Sequence, residues 1–442
     1  MVENGFPLRQ ILSRAPLMPT DIRIHQLDNG LRLATVAMPH MASVSVGLWT
    51  GAGSRHERPA EHGLAHFVEH MLFKGTPTRT AEDISRHIEG LGATIDGFTV
   101  EDYTAYHAQG PADQFDRLFD VLADFYRNAT LDGAEIESEK QVIHEEISMV
   151  RDQPSQHLED LLSEAAWGKD HPLGRSITGT ENSLDAFQRD DVLGFFRRAY
   201  CGANTVVSIA GNIDSDAVLD SVASRFAGIP AGSRIAFTPA SEPSSRHLFE
   251  RETDHEQDHL ALSFRSVDRH HPDRFAHRVL DAILGGNMSS RLFQKIREQL
   301  GLCYEVQSDI VSFSDAGLLQ IYLALSPENL KEALEGVSNV LENLRKNTVS
   351  DAELAGAKAY LVGQSRISLE NTAAQMMWAG ESLLFFDDWL DPEEAHRKIQ
   401  GVTAGDVRDA ARAIFDTEAI SSALIGRSKS NSVLEDWISA PV

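Results

Sequence analysis

The chain has 442 residues, with 66 Asp or Glu against 40 Lys or Arg, a formal net charge of −26 at pH 7. That surplus argues against nucleic acid or an anionic membrane as a partner, and an acidic coat that maintains solubility explains it better than an acidic substrate chamber does. Cys201 and Cys303 are too few for a disulfide framework, the start Met1-Val2-Glu3-Asn4-Gly5-Phe6-Pro7 lacks the pattern of a secretory signal, and no run approaches the roughly 18 apolar residues of a membrane span, so a soluble cytoplasmic protein is expected.

In chain order, Ser43-Val44-Ser45-Val46-Gly47-Leu48-Trp49 alternates as a strand does, and Gly51-Ala52-Gly53 turns the chain. Pro59 to Ala65 then predicts the first turn of a helix, which Lys74-Gly75 and Pro77 should end. On that helix lies His66-Phe67-Val68-Glu69-His70. Imidazoles four residues apart stand one above the other on a helix face and can share a metal ion, with Glu69 near enough to hold a water against it. This H-x-x-E-H run inverts the H-E-x-x-H motif and is the pattern of the inverzincin metalloproteases. Two incidental histidines on a half-buried helix are the alternative. A rival pair, His62 and His66, has the same spacing but Gly63 between them and no adjacent carboxylate.

A catalytic zinc needs a third protein ligand and an open position. Leu131 to Val150 predicts a helix with Asp132 as N-cap and an apolar stripe of Ile136, Ile143, Ile147 and Val150. Glu139 and Glu146 border that stripe, where a carboxylate needs a cation or donors to offset its desolvation. Glu146 is the preferred third ligand, and Glu139 a partner that orients a histidine. A solvated acidic face is the competing reading.

Strands are expected at Asn204–Ala210 and His259–Phe264, and a linker where Gly, Pro and Ser gather over 229–245. The chain also resembles itself. Leu64 to Gly75 lies over Phe275 to Gly286, which sets Leu280 against Glu69 and Asp281 against His70. Leu131 to Ile136 lies over Val349 to Leu354, which sets Gln364 against Glu146. The period far exceeds that of solenoids, so a duplicated domain follows, its second copy without the metal residues. The expected organisation is 1–228 with the site, a linker at 229–245, and 246–442 as the second copy. Hairpin-like alternation among long helices predicts α+β domains with largely antiparallel sheets. Further on, Ser289-Ser290 should cap a helix from Arg291 to Leu300, which Gly301 ends before a strand near Tyr304. Gly285-Gly286-Asn287 lacks the Lys-Ser/Thr ending of a phosphate loop and is better taken as a helix stop.

His66-x-x-Glu69-His70 followed 76 positions later by Glu146, with Gly51-Ala52-Gly53-Ser54-Arg55, Glu69-His70-Met71-Leu72-Phe73-Lys74-Gly75-Thr76 and Val142-Ile143-His144-Glu145-Glu146-Ile147 around them, resembles the M16 metallopeptidases over nearly the whole chain. The resemblance implies two similar α+β domains and one Zn2+ per chain on His66, His70 and Glu146. It further implies Glu69 as general base and Glu139 in support. Manganese or cobalt suits such ligands too, but zinc is favoured. By the same resemblance Arg297 and Tyr304 match an Arg/Tyr pair that faces the substrate from the domain opposite the zinc domain, in cis or, in a dimer, from the partner chain. Gly92 to Thr99 resembles the family's substrate-binding strand, with Ala93, Thr94 and Thr99 as contacts; relatives often carry Asn where this chain has Asp96. The expected function is a zinc endopeptidase acting on peptides or unfolded segments as a homodimer. Alternatives are the metal-bearing chain of a heterodimer with a related chain, and a structural subunit without activity.

Overall fold

A computed structural model describes residues 21–243, 245–252, 256–415 and 420–439. The first sheet comprises β1 (Asp21–Gln26), β2 (Arg32–Ala37), β3 (Ser43–Thr50), β4 (Thr94–Thr99), β5 (Thr104–Pro111) and β6 (Thr205–Gly211), in the order β1-β2-β6-β3-β5-β4. The second comprises β7 (His247–Arg251), β8 (Asp258–Ser266), β9 (Cys303–Ser312), β10 (Gly317–Leu325) and β11 (Ser421–Gly426), in the order β7-β11-β8-β10-β9. All pairings are antiparallel except β2 with β6 and β7 with β11. Both halves are thus α+β units with mostly antiparallel sheets, as the alternation predicts. The expected strands are β3, β6 and β8.

The period-2 pattern sorts side chains between two covered faces. In β3, Val44, Val46 and Leu48 enter the main core of the first half, where the helices Leu64–Leu72, Phe115–Asn128 and Gly133–Arg151 bury Leu64, Phe67, Phe119, Phe125 and Ile143. Trp49 points the other way. It is covered by Met376, Ala379 and Leu383 of the helix Thr372–Phe386, which comes from the second half of the chain. That helix can press close because two contact points lack a side chain. A Cβ on Gly380 would lie 2.1 Å from the Trp49 ring, and one on Gly47 would fall on the Met376 sulfur.

The reciprocal contact exists too. The helix Pro154–Trp167, from the first half, lays Leu158 and Leu162 on Ala261, Ala423 and Ile425 of the second sheet. The two halves have therefore exchanged equivalent helices. Around this seam, the wholly buried Arg55 guanidinium donates to Asp102 (2.9 Å), to Asp315 (2.8 Å) and to the Thr238 carbonyl (3.1 Å), and stacks 4.0 Å from the Phe237 ring. One side chain thereby joins the first half, the irregular segment after Phe226, and the second half. A charge at such depth is tolerable only with partners of this kind.

Candidate metal centre

The helix bearing the motif starts later than its sequence suggests. Pro59–Glu61 is a separate 3-10 turn, and the α-helix runs Leu64–Leu72 behind Gly63, whose φ of 92° is left-handed. A Cβ there would also meet the Thr178 carbonyl at 2.8 Å, so only glycine suits the position. With no capping side chain at Gly63, the buried Glu57 carboxylate takes that role and accepts the N–H groups of Gly63 (2.9 Å) and Ala65 (2.7 Å). Burial pushes its carboxyl up to about 8, while those two donors act in the opposite direction.

His66 and His70 rise one turn apart from this helix, ring centroids 4.5 Å from each other. The helix Gly133–Arg151, capped by Asp132 through the Ala134 N–H (2.8 Å), brings Glu146 opposite them. Its Oε1 lies 3.6 Å from His66 Nε2 and its Oε2 lies 3.7 Å from His70 Nε2. One ligand atom from each of the three lies within 4.8 Å of the others, the spread that a single metal ion can bridge. Burial, and then the neighbouring His70, lower the His66 pKa to about 3, so His66 is neutral and a lone pair is free for a metal. The donor set of two imidazoles and a carboxylate suits zinc.

Glu139 supports this group from behind. Its buried carboxylate lies 2.8 Å from His70 Nδ1 through one oxygen, and the other oxygen pairs with Lys74 Nζ. A proton held on Nδ1 leaves His70 Nε2 directed at Glu146, the usual way a carboxylate fixes the tautomer of a metal-binding histidine. Burial works against charge on His70, but the Glu139 hydrogen bond and nearby carboxylates outweigh it, and its pKa is raised.

Glu69, between the histidines in sequence, lies against the edge strand β4. Thr99 Oγ1 donates to it at 3.4 Å, and a Cβ on Gly97 would stand 2.9 Å from its Oε1. Burial is the chief reason its carboxyl is pushed up to about 7, where a group can both take and return a proton near neutrality. Of the substrate-strand residues, Ala93 is buried just before β4, Thr94 is exposed at its start, and Thr99 ends it beside Glu69. Asp96 is exposed and hydrogen-bonds the Gly97 N–H. His62 is engaged elsewhere, with Nε2 2.9 Å from the Ser176 carbonyl.

Arg297 and Tyr304 form a separate feature. The segment Phe293–Gln299 is π-helical, and Asn287, not a serine, caps the preceding turn by accepting the Ser289 N–H at 2.9 Å. The Arg297 guanidinium lies 4.7 Å from the Phe293 ring centroid and 5.7 Å from that of Tyr304, which is 72% exposed at the start of β9. Among the described residues, neither is hydrogen-bonded or ion-paired to His66, Glu69, His70 or Glu146. At the duplicated position, His277 Nδ1 is 2.9 Å from Ser266 Oγ, and Asp281 meets Ser308 Oγ at 2.6 Å. Among the described residues, no three-ligand group forms there.

Sequence reasoning missed three contributors. In the sequence Lys74 reads only as part of a helix stop, and Glu139, its partner, stands 65 positions away. Glu57 precedes the helix by a full loop. Gly97 acts by what it leaves empty. No spacing in the sequence announces any of them.

The profile described as "Insulinase (Peptidase family M16)" matches residues 32–181, and that described as "Peptidase M16 inactive domain" matches residues 186–361. A Bacillus subtilis protein named "Uncharacterized zinc protease YmxG" is 35% identical over 92% of this chain and 98% of its own length. An "Uncharacterized zinc protease" of Rickettsia bellii is 32% identical, with 92% and 98% covered. Two solved structures share the fold, each with a TM-score of 0.86 over 92% of this chain. One, from Pseudomonas fluorescens, is titled a peptidase M16 inactive domain (21% identity, 98% of that chain); the other is a protease from Helicobacter pylori (20% identity, 99% of that chain).

Proposed function

This chain belongs to peptidase family M16, and from that premise we propose that it is a zinc-dependent endopeptidase that cleaves peptides or unfolded segments. The observation that carries the proposal is the convergence of His66, His70 and Glu146, with Glu69 beside them, at the open edge of a sheet. When bound, zinc supplies Lewis acidity that polarises the scissile carbonyl and lowers the pKa of the attacking water. His66, His70 and Glu146 hold it, and Glu139 with Lys74 keeps His70 in the binding tautomer. Glu69 takes the proton of the attacking water and passes it to the departing amine. The peptide adds as a strand to β4, through the backbone of Thr94 to Thr99.

Arg297 and Tyr304 are suited to gripping a substrate carbonyl and donating to the oxyanion. Among the described residues neither is bonded to the metal group of its own chain, and a dimer in which each chain offers its pair to the partner's zinc would bring the two together. A homodimer accounts for this most simply, since one chain carries both sets; a heterodimer with a related chain is the second reading.

The test is cleavage of a mixed peptide library by the purified protein, beside Glu69→Gln and a chelated sample. Cleavage lost in both, with about one zinc per chain retained in Glu69→Gln, is the expected result. Metal bound without cleavage would direct the search to a partner chain. Failure to bind metal would refute the catalytic reading in favour of a structural subunit.

A further inference from the structure

Four consecutive polar residues lie inside the protein just before the metal helix. Ser54 is 2% exposed, Arg55 1%, His56 9% and Glu57 5%. Hydrophobicity does not put such a run inside, so its contacts must hold it there. Ser54–His56 is a 3-10 turn, closed by the Gly53 N–H, which donates to His56 Nδ1 at 3.1 Å. Its backbone is fastened to the loop after β4. The Ser54 and Arg55 N–H groups donate to the carbonyls of Val100 (3.2 Å) and Glu101 (3.0 Å), and a Cβ on Gly53 would stand 1.9 Å from the Val100 carbonyl oxygen.

From this turn the side chains reach in two directions. Arg55 reaches the second half. Its guanidinium donates to Asp315 Oδ1 at 2.8 Å, between β9 and β10, while Asp315 Oδ2 accepts the Ala240 N–H at 2.8 Å. The adjoining Ser314 donates its N–H and its hydroxyl to Asp102, the other carboxylate on Arg55. Glu57 reaches the opposite way, to the metal helix. Its two oxygens accept the Gly63 and Ala65 N–H groups, and Ala65 directly precedes His66. The helix is only nine residues long, so a displacement of its first turn carries His66, Glu69 and His70 with it. A functional constellation of this kind tolerates about 0.5 Å of such movement.

We propose that Glu57 is a positioning residue for the metal group, and that Asp315, in the half without metal ligands, sets its position through Arg55 and the buried turn. The inference rests on the zinc reading of His66, His70 and Glu146 and gives the second half a part in it. Among the described residues Asp315 has no hydrogen bond or ion pair to those three, so its effect on them passes through the turn.

The experiment measures zinc affinity of the full chain by competition with a chromophoric chelator, for the parent, Glu57→Gln, Asp315→Asn and the double variant. The melting temperature of each metal-free protein is recorded beside it. Gln keeps the size of Glu57 but offers one acceptor oxygen to two N–H groups. Zinc affinity should fall about tenfold or more in Glu57→Gln. It should fall about three- to tenfold in Asp315→Asn, which leaves the Arg55–Asp102 pair intact. The double variant should bind zinc as Glu57→Gln does, because residues acting through one chain of contacts are not additive. A role confined to stability would lower melting temperatures and leave the affinities unchanged, and that result overturns the proposal. So do losses that multiply in the double variant, since Asp315 would then act by another route. Should Glu57→Gln fail to fold, Asp315→Asn carries the test, its side chain being 27% exposed; an unchanged zinc affinity there overturns the proposal by itself. A parent that binds no zinc refutes the metal centre and this inference with it, whereas a zinc-binding parent matched by its variants refutes this inference alone.

Discussion

Asp281 occupies in the second half the place that His70 holds in the first, and it is the more revealing residue to perturb. It is 7% exposed, and burial pushes its carboxyl from 3.8 up to about 7, with Ser308 Oγ at 2.6 Å as its side-chain hydrogen-bonding partner among the described residues. A folded pKa above the unfolded one means that the fold favours the protonated form. The stabilisation is complete below about pH 3.8 and disappears as pH rises through about 7. Each unit corresponds to about 1.4 kcal/mol, so the full effect approaches about 4 kcal/mol; roughly 3 kcal/mol remains at pH 5 and almost none at pH 8. Asp281→Asn keeps the shape and the Ser308 contact but cannot ionise. The variant should therefore exceed the wild type by only about 1–2 kcal/mol at pH 5 and by about 4 kcal/mol at pH 8. Urea unfolding of both proteins at the two pH values measures this. A difference between variant and wild type that is the same at pH 5 and pH 8 would refute the reasoning, since the effect would then come from packing and not from charge.

Two further outcomes follow from groups with defined partners. Lys74→Met removes the cation that neutralises the buried Glu139 carboxylate behind His70. Zinc affinity, measured by competition with a chromophoric chelator, should fall about 10- to 100-fold, with Lys74→Arg recovering most of the loss. Arg55→Met leaves Asp102 buried without its guanidinium and frees the segment around Thr238. Stability should drop by about 3–5 kcal/mol, and limited proteolysis should cut between residues 229 and 243 of the variant well before the wild type.

Most of the centre was legible because its information is local. His66 and His70 are one helical turn apart, and the phase of the helix against Ile136, Ile143 and Ile147 sets Glu139 and Glu146 apart from Glu135, Glu137 and Glu145. The α+β class followed from alternation, whereas the edge strand rested on the family resemblance of Gly92 to Thr99. What stayed hidden depends on contacts between distant segments. Pro154–Trp167 and Thr372–Phe386 show apolar faces, but an apolar face does not say which sheet it covers, and here each covers the sheet of the other half. The start of the metal helix was placed too early because Pro59 is a strong local signal, while the break at Gly63 is imposed by the Thr178 carbonyl from another part of the chain. Lys74 and Arg55 were equally silent, since a cation shows its partner only once the fold is closed.

The exchanged helices bear on how the protein is made. When a ribosome has delivered residue 243, the first sheet has all six of its strands but Trp49 lacks its covering helix, and Leu158 and Leu162 of the helix Pro154–Trp167 lack the sheet they rest on. Cover arrives only with Met376, Ala379 and Leu383, more than 130 residues later. The metal-bearing half is therefore born incomplete, and the polypeptide must stay unaggregated through that interval with an apolar sheet face in water. Genetic separation of the halves would make that transient condition permanent. The two pieces should recover a folded state only when produced together, each completing the other's sheet.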